Sequence, residues 1–271
     1  MHLHFLDPFH EGGSLVHRLD ARIKLALVVA FILTVALVPT GAWPVYVLLL
    51  ALAFAAEVLS ELGIPFYMKR ALLAVPFVLA ALPVLFTIPG PVLLRAPLGL
   101  TISEPGLARF ISVALKSWIS IQMAILLAST TRFPDILMAM RALRLPRLLV
   151  AIIGLMWRYL FVMVDEALRL MRARQSRSGV SLVPYSAPRS APTRKTGGSL
   201  TWRARVTGSM AGSLFIRSLE RSDRIYNAML ARGYDGEMHT LPQAKITSTG
   251  WATLLLGMSL LACLLLFGYL L

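Results

Sequence analysis

The stretch WATLLLGMSLLACLLLFGYLL, Trp251 to Leu271, holds no acid, lysine, arginine or histidine. A helix of roughly 20 such residues spans the hydrocarbon of a bilayer and hides its backbone polar groups in its own hydrogen bonds. A chain carrying it therefore folds in lipid. Four further segments read the same way: Leu25 to Thr40, Pro44 to Leu59, Ala71 to Ile88 and Leu107 to Thr130. Pro76 and Pro83 predict kinks in the third, because proline removes a helical donor and crowds the preceding turn. The single cysteine, Cys263, lies inside the last run, which excludes a disulfide framework and a cysteine metal cluster. It reads as a lipid-facing or packing residue.

Leu25 to Val38 is short enough to resemble the core of a signal peptide. Some two dozen residues precede it, however, including Asp7, Glu11 and Asp20, so a retained first span is expected.

The same chain is 57% hydrophobic, only 15% charged, and carries a net charge of +14. Such a charge on a soluble protein would point to nucleic acid; on a chain this apolar it points to a second, aqueous region, with membrane lipid and not nucleic acid as the surrounding partner. That region is residues 131 to 245, which hold 19 of the 27 lysines and arginines against 7 of the 13 acids. Within it, Leu148 to Val164 is apolar enough for a sixth span, but Arg158 sits near its centre, where a charge costs about 2.5–3.5 kcal/mol. If it crossed, the basic stretch Arg169 to Arg232 would lie opposite the basic loop Arg132 to Arg147. If it does not cross, Arg18, Arg22, Lys24, Lys69, Arg70 and the whole basic region share one face, as the excess of positive charge on cytoplasmic loops requires. The expected fold is therefore all-α and polytopic: a cytoplasmic segment 1–24, four spans in 25–130, a cytoplasmic helical region 131–245, and a last span in 246–271. The amino terminus is expected inside and the carboxyl terminus outside.

Three helices are expected in the cytoplasmic region. The first, about Pro134 to Leu143, follows a candidate cap at Thr131. The second runs from Arg147 to Arg177, with Asp165 four residues before Arg169 for an ion pair. The third, about Thr207 to Arg232, has apolar positions Met210, Leu214, Ile225 and Met229 on one stripe. The Ser-, Pro- and Gly-rich segment 181–200 reads as a loop between the second and third.

No phosphate-binding G-x-x-x-x-G-K-[ST] loop, H-E-x-x-H, G-x-S-x-G or two-metal carboxylate set occurs, so the chain is not expected to be an enzyme or to hold a cofactor. What stands out is an arginine between small residues at the end of each long basic helix: Ser176, Arg177, Ser178, and Ala231, Arg232, Gly233. Small neighbours let a helix tip enter a groove, where a guanidinium can fork onto carboxylates or carbonyls. A solvated, dipole-complementing helix end is the alternative, and Gly233 fits a left-handed cap.

These residues carry a resemblance. SLVHRLDARIKL (Ser14 to Leu25), TTRFPDILMAMRALRLPRLL with WRYLFVMVDEALRLMRARQSRSG, and RSLERSDRIYNAMLARGYDGE resemble the T component, EcfT, of energy-coupling factor ABC transporters, especially the cobalt-type CbiQ branch. The resemblance covers most of the chain. It implies a subunit of a prokaryotic plasma (inner) membrane that docks two Ala-Arg-Gly-like motifs into two ATP-binding cassette ATPase subunits. It also implies a separate membrane substrate-binding S component, CbiM-like, with or without a small CbiN-like subunit. ATP hydrolysis would belong to the partners and the solute would be cobalt, with nickel or a vitamin left open. The second motif is intact; the first departs to Ser176, Arg177, Ser178, with Ala173 and Arg174 as the alternative register.

Two further features carry no role that the resemblance implies. His2, His4, His10 and His17 match no standard metal spacing and read as ordinary surface histidines. Lys116, beside Ser112, Ser117, Ser120 and Gln122, makes the fourth span polar at its middle and is expected to be buried against a partner or another span rather than to relay substrate. From a different functional class, a membrane insertase or lipid-interacting protein would need only the net charge of the basic region.

Overall fold

The computed structural model describes residues 9–95, 101–177, 199–236 and 246–270. The first compact unit comprises residues 1–145 and 242–271, the second residues 146–241.

In the first unit, a short turn of helix α1 (Leu15–Arg18) leads into α2 (Ala21–Leu37) and α3 (Trp43–Leu59). The third expected span is a broken rod: α4 (Ile64–Ala71), a 3-10 turn Leu72–Ala74, α5 (Val75–Ala81) and α6 (Val84–Thr87). Its last two joints fall at Pro76 and Pro83, as their missing donors demand. Two short strands, β1 (Val92–Arg95) and β2 (Thr101–Ser103), pair antiparallel before α7 (Glu104–Thr130). They are a feature the apolar periodicity did not announce. Ser103 turns the chain from strand to helix, its hydroxyl donating to Ile88 O at 2.6 Å and accepting from Gly106 N at 3.2 Å. Gly106 is needed there, since a Cβ would meet Leu85 O at 2.8 Å. Helix α8 (Phe133–Ala142) and the last span α11 (Ser248–Leu270) complete the unit.

Its core is apolar and shared by α2, α3, α7 and α11: Val28, Phe31, Val35, Tyr46, Leu49, Ile119 and Leu261 are among the buried residues. The outward faces stay apolar, with Leu73, Phe77, Leu255 and Leu256 exposed, as lipid contact requires. Cys263 is exposed on α11.

Helix α2 has 17 residues and so reaches only about 25 Å, short of a ~30 Å hydrocarbon core. Its last carbonyls would be orphaned in lipid. Side chains from three other helices satisfy them. Lys116 donates to Ala36 O at 2.9 Å and Val38 O at 2.7 Å, Tyr269 to Leu37 O at 3.2 Å, and Tyr46 to Pro39 O at 3.0 Å. The arrangement is reciprocal. At the other end Lys24 of α2, itself buried, donates to Thr130 O at the end of α7 at 2.9 Å. Each of two antiparallel helices thus closes the other's carboxyl end with a lysine, and the charge at Lys116, half-buried, is engaged by another helix of the same unit. Glu57 is a contrast: it is fully buried and neither carboxylate oxygen has a partner among the described residues.

The amino-terminal segment is tied down by polar contacts. His10 N donates to Ser129 O at 2.9 Å, and His17 lies between Ser14 Oγ (2.6 Å) and His10 O (3.1 Å). In the neutral ring, Nε2–H donates to the carbonyl and Nδ1 accepts from the hydroxyl. Among the described residues no group of three His, Cys, Asp or Glu could hold a metal ion, and His2 and His4 lie outside them.

The second unit is two helices, α9 (Arg147–Arg177) and α10 (Leu200–Ala231). Helix α10 begins seven residues before the expected Thr207, capped by Ser199, whose hydroxyl accepts from Trp202 N at 3.3 Å. Gly208, Ser209, Gly212 and Ser213 weaken the helical signal there. The expected loop 181–200 falls almost wholly outside the described residues.

Candidate functional site

Helices α9 and α10 run antiparallel. Arg174 Nη1 lies 3.3 Å from Thr207 Oγ1 with its guanidinium 5.8 Å from the Trp202 ring centre, and farther along Arg217 Nη1 meets Glu166 Oε1 at 2.7 Å. Arg169 also lies 3.8 Å from Glu166, so the ion pair expected for Asp165 is made by its neighbour. As numbers fall along α9 they rise along α10. The stripe expected from spacing, Met210, Leu214, Ile225 and Met229, is half-buried, as is Val206 one turn earlier; Val206, Met210, Leu214 and Ile225 line two grooves shared with α9, of about 720 and 460 Å³. The reverse side leaves Phe215, Ile216, Leu219, Tyr226 and Leu230 exposed.

The candidate arginines lie at opposite ends of this pair. Arg177 is the last residue of α9, toward the start of α10; Arg232 caps the far end of α10. With a rise of 1.5 Å per residue, the tips are roughly 40 Å apart. Ser178 lies outside the described residues, and the Ser176 hydroxyl turns back to Ala173 O at 2.9 Å.

The Arg232 tip has a defined shape. Tyr234 N donates to Met229 O at 3.0 Å and Gly233 N to Leu230 O at 2.9 Å, while Gly233 takes φ +79°: a Schellman cap with glycine in the left-handed position. Arg232 is held on this turn, exposed, with no side-chain partner among the described residues. The first motif's alternative register looks different, since Arg174 is spent on Thr207 and Trp202. Sequence reasoning missed Trp202 and the shared acceptor Glu166; only the three-residue spacing from Glu166 to Arg169 hinted at the latter.

The sequence profile of the CbiQ family, described as cobalt transport protein, matches residues 12–242. The chain belongs to the CbiQ family. It is 26% identical over 273 residues to an energy-coupling factor transporter transmembrane protein EcfT of Bacillus subtilis, covering 97% of each chain. It is 27% identical over 165 residues to a cobalt transport protein CbiQ of Rhodobacter capsulatus, covering 60% of this chain and 61% of that one. An uncharacterised protein of Methanocaldococcus jannaschii matches at 26% over 270 residues, 97% of this chain and 86% of the other. This CbiQ-family chain is thus a multi-pass membrane component of a transporter.

Proposed function

We propose that this chain is the coupling subunit of an energy-coupling factor importer, transmitting ATP-driven motion of two cytoplasmic ATPase subunits to a membrane substrate-binding subunit. The observation that carries the reading is the pair of arginine-bearing tips roughly 40 Å apart on one antiparallel helix pair. One groove on one protein cannot take both; two copies of an ATPase can. Arg232, bare and presented on a closed cap, is shaped for a carboxylate or carbonyl groove. Engagement of Arg174 within the helix pair favours Arg177 as the first pin. The names of the relatives favour cobalt as the solute.

In this reading α9 does not cross the membrane, although its residues 147–174 are long and apolar enough to do so. Arg158 and the shared side of all the basic segments argue for five spans with the amino terminus in the cytoplasm. A reporter inserted at Ser190 is expected inside and one fused after Leu271 outside; an external Ser190 reporter overturns the topology and the coupling reading together.

The decisive experiment measures ATPase copurification and solute uptake for Arg232→Ala, Arg177→Ala and the linker control Arg194→Ala at equal membrane expression. The tip variants are expected to lose assembly or uptake, the double variant to abolish transport, and the control to match the parent. Arg232→Lys should recover only part, since an ammonium keeps the charge but not the planar fork. Equal effects from all three alanine variants would reduce the tips to capped helix ends in a merely basic, lipid-facing region.

A further inference from the structure

We propose that the pocket framed by the amino-terminal segment, the start of α2 and the α7–α8 joint seats the phosphoethanolamine headgroup of a membrane phospholipid. The cavity holds about 400 Å³ and has charges of both signs on its wall, from Arg22, Lys24 and Arg132 and from Asp20 and Asp135. Most of these groups are already engaged. Arg132 pairs with Glu11 at 2.9 Å, Asp20 accepts from Arg22 N at 2.9 Å, and Lys24 gives one of its three hydrogens to Thr130 O.

What remains is a complementary set. The half-buried Arg22 guanidinium and Asp135 carboxylate have no hydrogen-bond or ion-pair partner among the described residues, and Lys24 has donors to spare. Thr131, 4% exposed and on the same wall, has a hydroxyl with no partner. Asp135 and Asp20 both act electrostatically on Lys24, so a lone anion drawn to Lys24 would compete with Asp135, and a lone cation would face Arg22. A zwitterion answers both, its phosphate on Arg22 and Lys24 and its ammonium on Asp135. A primary ammonium fits better than a quaternary one because it has hydrogens to donate.

Phosphoethanolamine could come from a lipid or from solution. The pocket's position decides for lipid: it lies where the apolar run of α2 begins and that of α7 ends, at headgroup depth, with Phe9 and Met138 on its wall for the glycerol portion. The inference uses the multi-pass membrane assignment and does not depend on the arginine tips.

The test is native mass spectrometry of the full chain after reconstitution with phosphatidylethanolamine, phosphatidylcholine and phosphatidylglycerol in equal amounts. The parent chain should retain phosphatidylethanolamine over the other two by roughly tenfold, the factor carried by one charge-assisted contact of about 1.4 kcal/mol. Asp135→Asn should erase the preference over phosphatidylglycerol, and Arg22→Gln should lower retention of all three. Arg203→Gln, on α10, should change nothing. Equal retention of the three lipids by the parent chain overturns the proposal without recourse to any variant. So does an Asp135→Asn protein with an unchanged elution profile and preference. Soluble glycerophosphoethanolamine should fail to displace the lipid at equal concentration; displacement would assign the pocket to a soluble ligand instead.

Discussion

In the first unit, α2 and α7 close each other's carboxyl ends through Lys24 and Lys116, and Tyr46, Ile119 and Leu49 pack to near-zero exposure. In the second unit, α10 buries no residue at all, and its contacts with α9 among the described residues include a half-buried stripe, the Arg217–Glu166 ion pair, and Arg174 bonded to Thr207 and lying over Trp202. The first region has a buried core and closes the carboxyl ends of α2 and α7 with its own side chains. The second leaves a row of large apolar side chains uncovered, a surface that on a soluble monomer marks an interaction site. The lesson is that substitutions in the two regions should fail in different ways: the membrane unit should lose stability, the helix pair should lose partners while the chain persists.

The largest stability effect should come from Lys116→Met, which leaves the Ala36 carbonyl of α2 and the Val38 carbonyl that caps it without their donor. A loss of about 2–4 kcal/mol is expected, read as a lower midpoint of unfolding in detergent or bicelles and reduced membrane yield. Glu57→Gln, in the same unit, should be neutral or stabilising because neither carboxylate oxygen has a partner to lose. If both variants behave alike, the reciprocal lysine caps do not hold the unit together.

Gly233 sharpens the comparison at the other region. Gly233→Ala forces a Cβ into φ +79° and should fray the end of α10 by about 1 kcal/mol, although no atom lies within 4 Å of that Cβ. Gly233→Asn tolerates the left-handed turn and should restore most of that loss. ATPase copurification then separates two roles. If Asn assembles like the parent, glycine is there only for the cap; if Asn fails with the helix end intact, the tip must also be slim enough to enter a groove.

The smallest effect belongs to Glu166→Gln. It weakens the contact with Arg217, an exposed arginine screened by solvent, and should change stability by less than about 1 kcal/mol. A larger loss would mean that α9 and α10 form a self-supporting unit after all.

Much of this architecture was legible in the residues. Apolar length and the absence of charge disclosed the long apolar helices of a multi-pass chain, because lipid leaves the backbone no partner but itself. Pro76 and Pro83 located the breaks, and the spacing of Met210, Leu214, Ile225 and Met229 located the inward stripe of α10. Ala231, Arg232 and Gly233 could be read as a capped tip from local chemistry alone, since the Schellman turn is closed by residues five apart. These are all short-range properties.

Other features depended on residues far apart in the chain. Lys116 meets carbonyls some 80 positions away, Lys24 meets Thr130 at a separation of 106, and Arg217 meets Glu166 at 51. Which carboxylate pairs, which arginine of the first motif is engaged within the helix pair, and where a lysine finds its acceptor are set by the approach of whole helices. Periodicity specifies the face a helix presents but not the neighbour, the depth or the register at which that face is met, and only the packed arrangement of α2 against α7 and of α9 against α10 decided those.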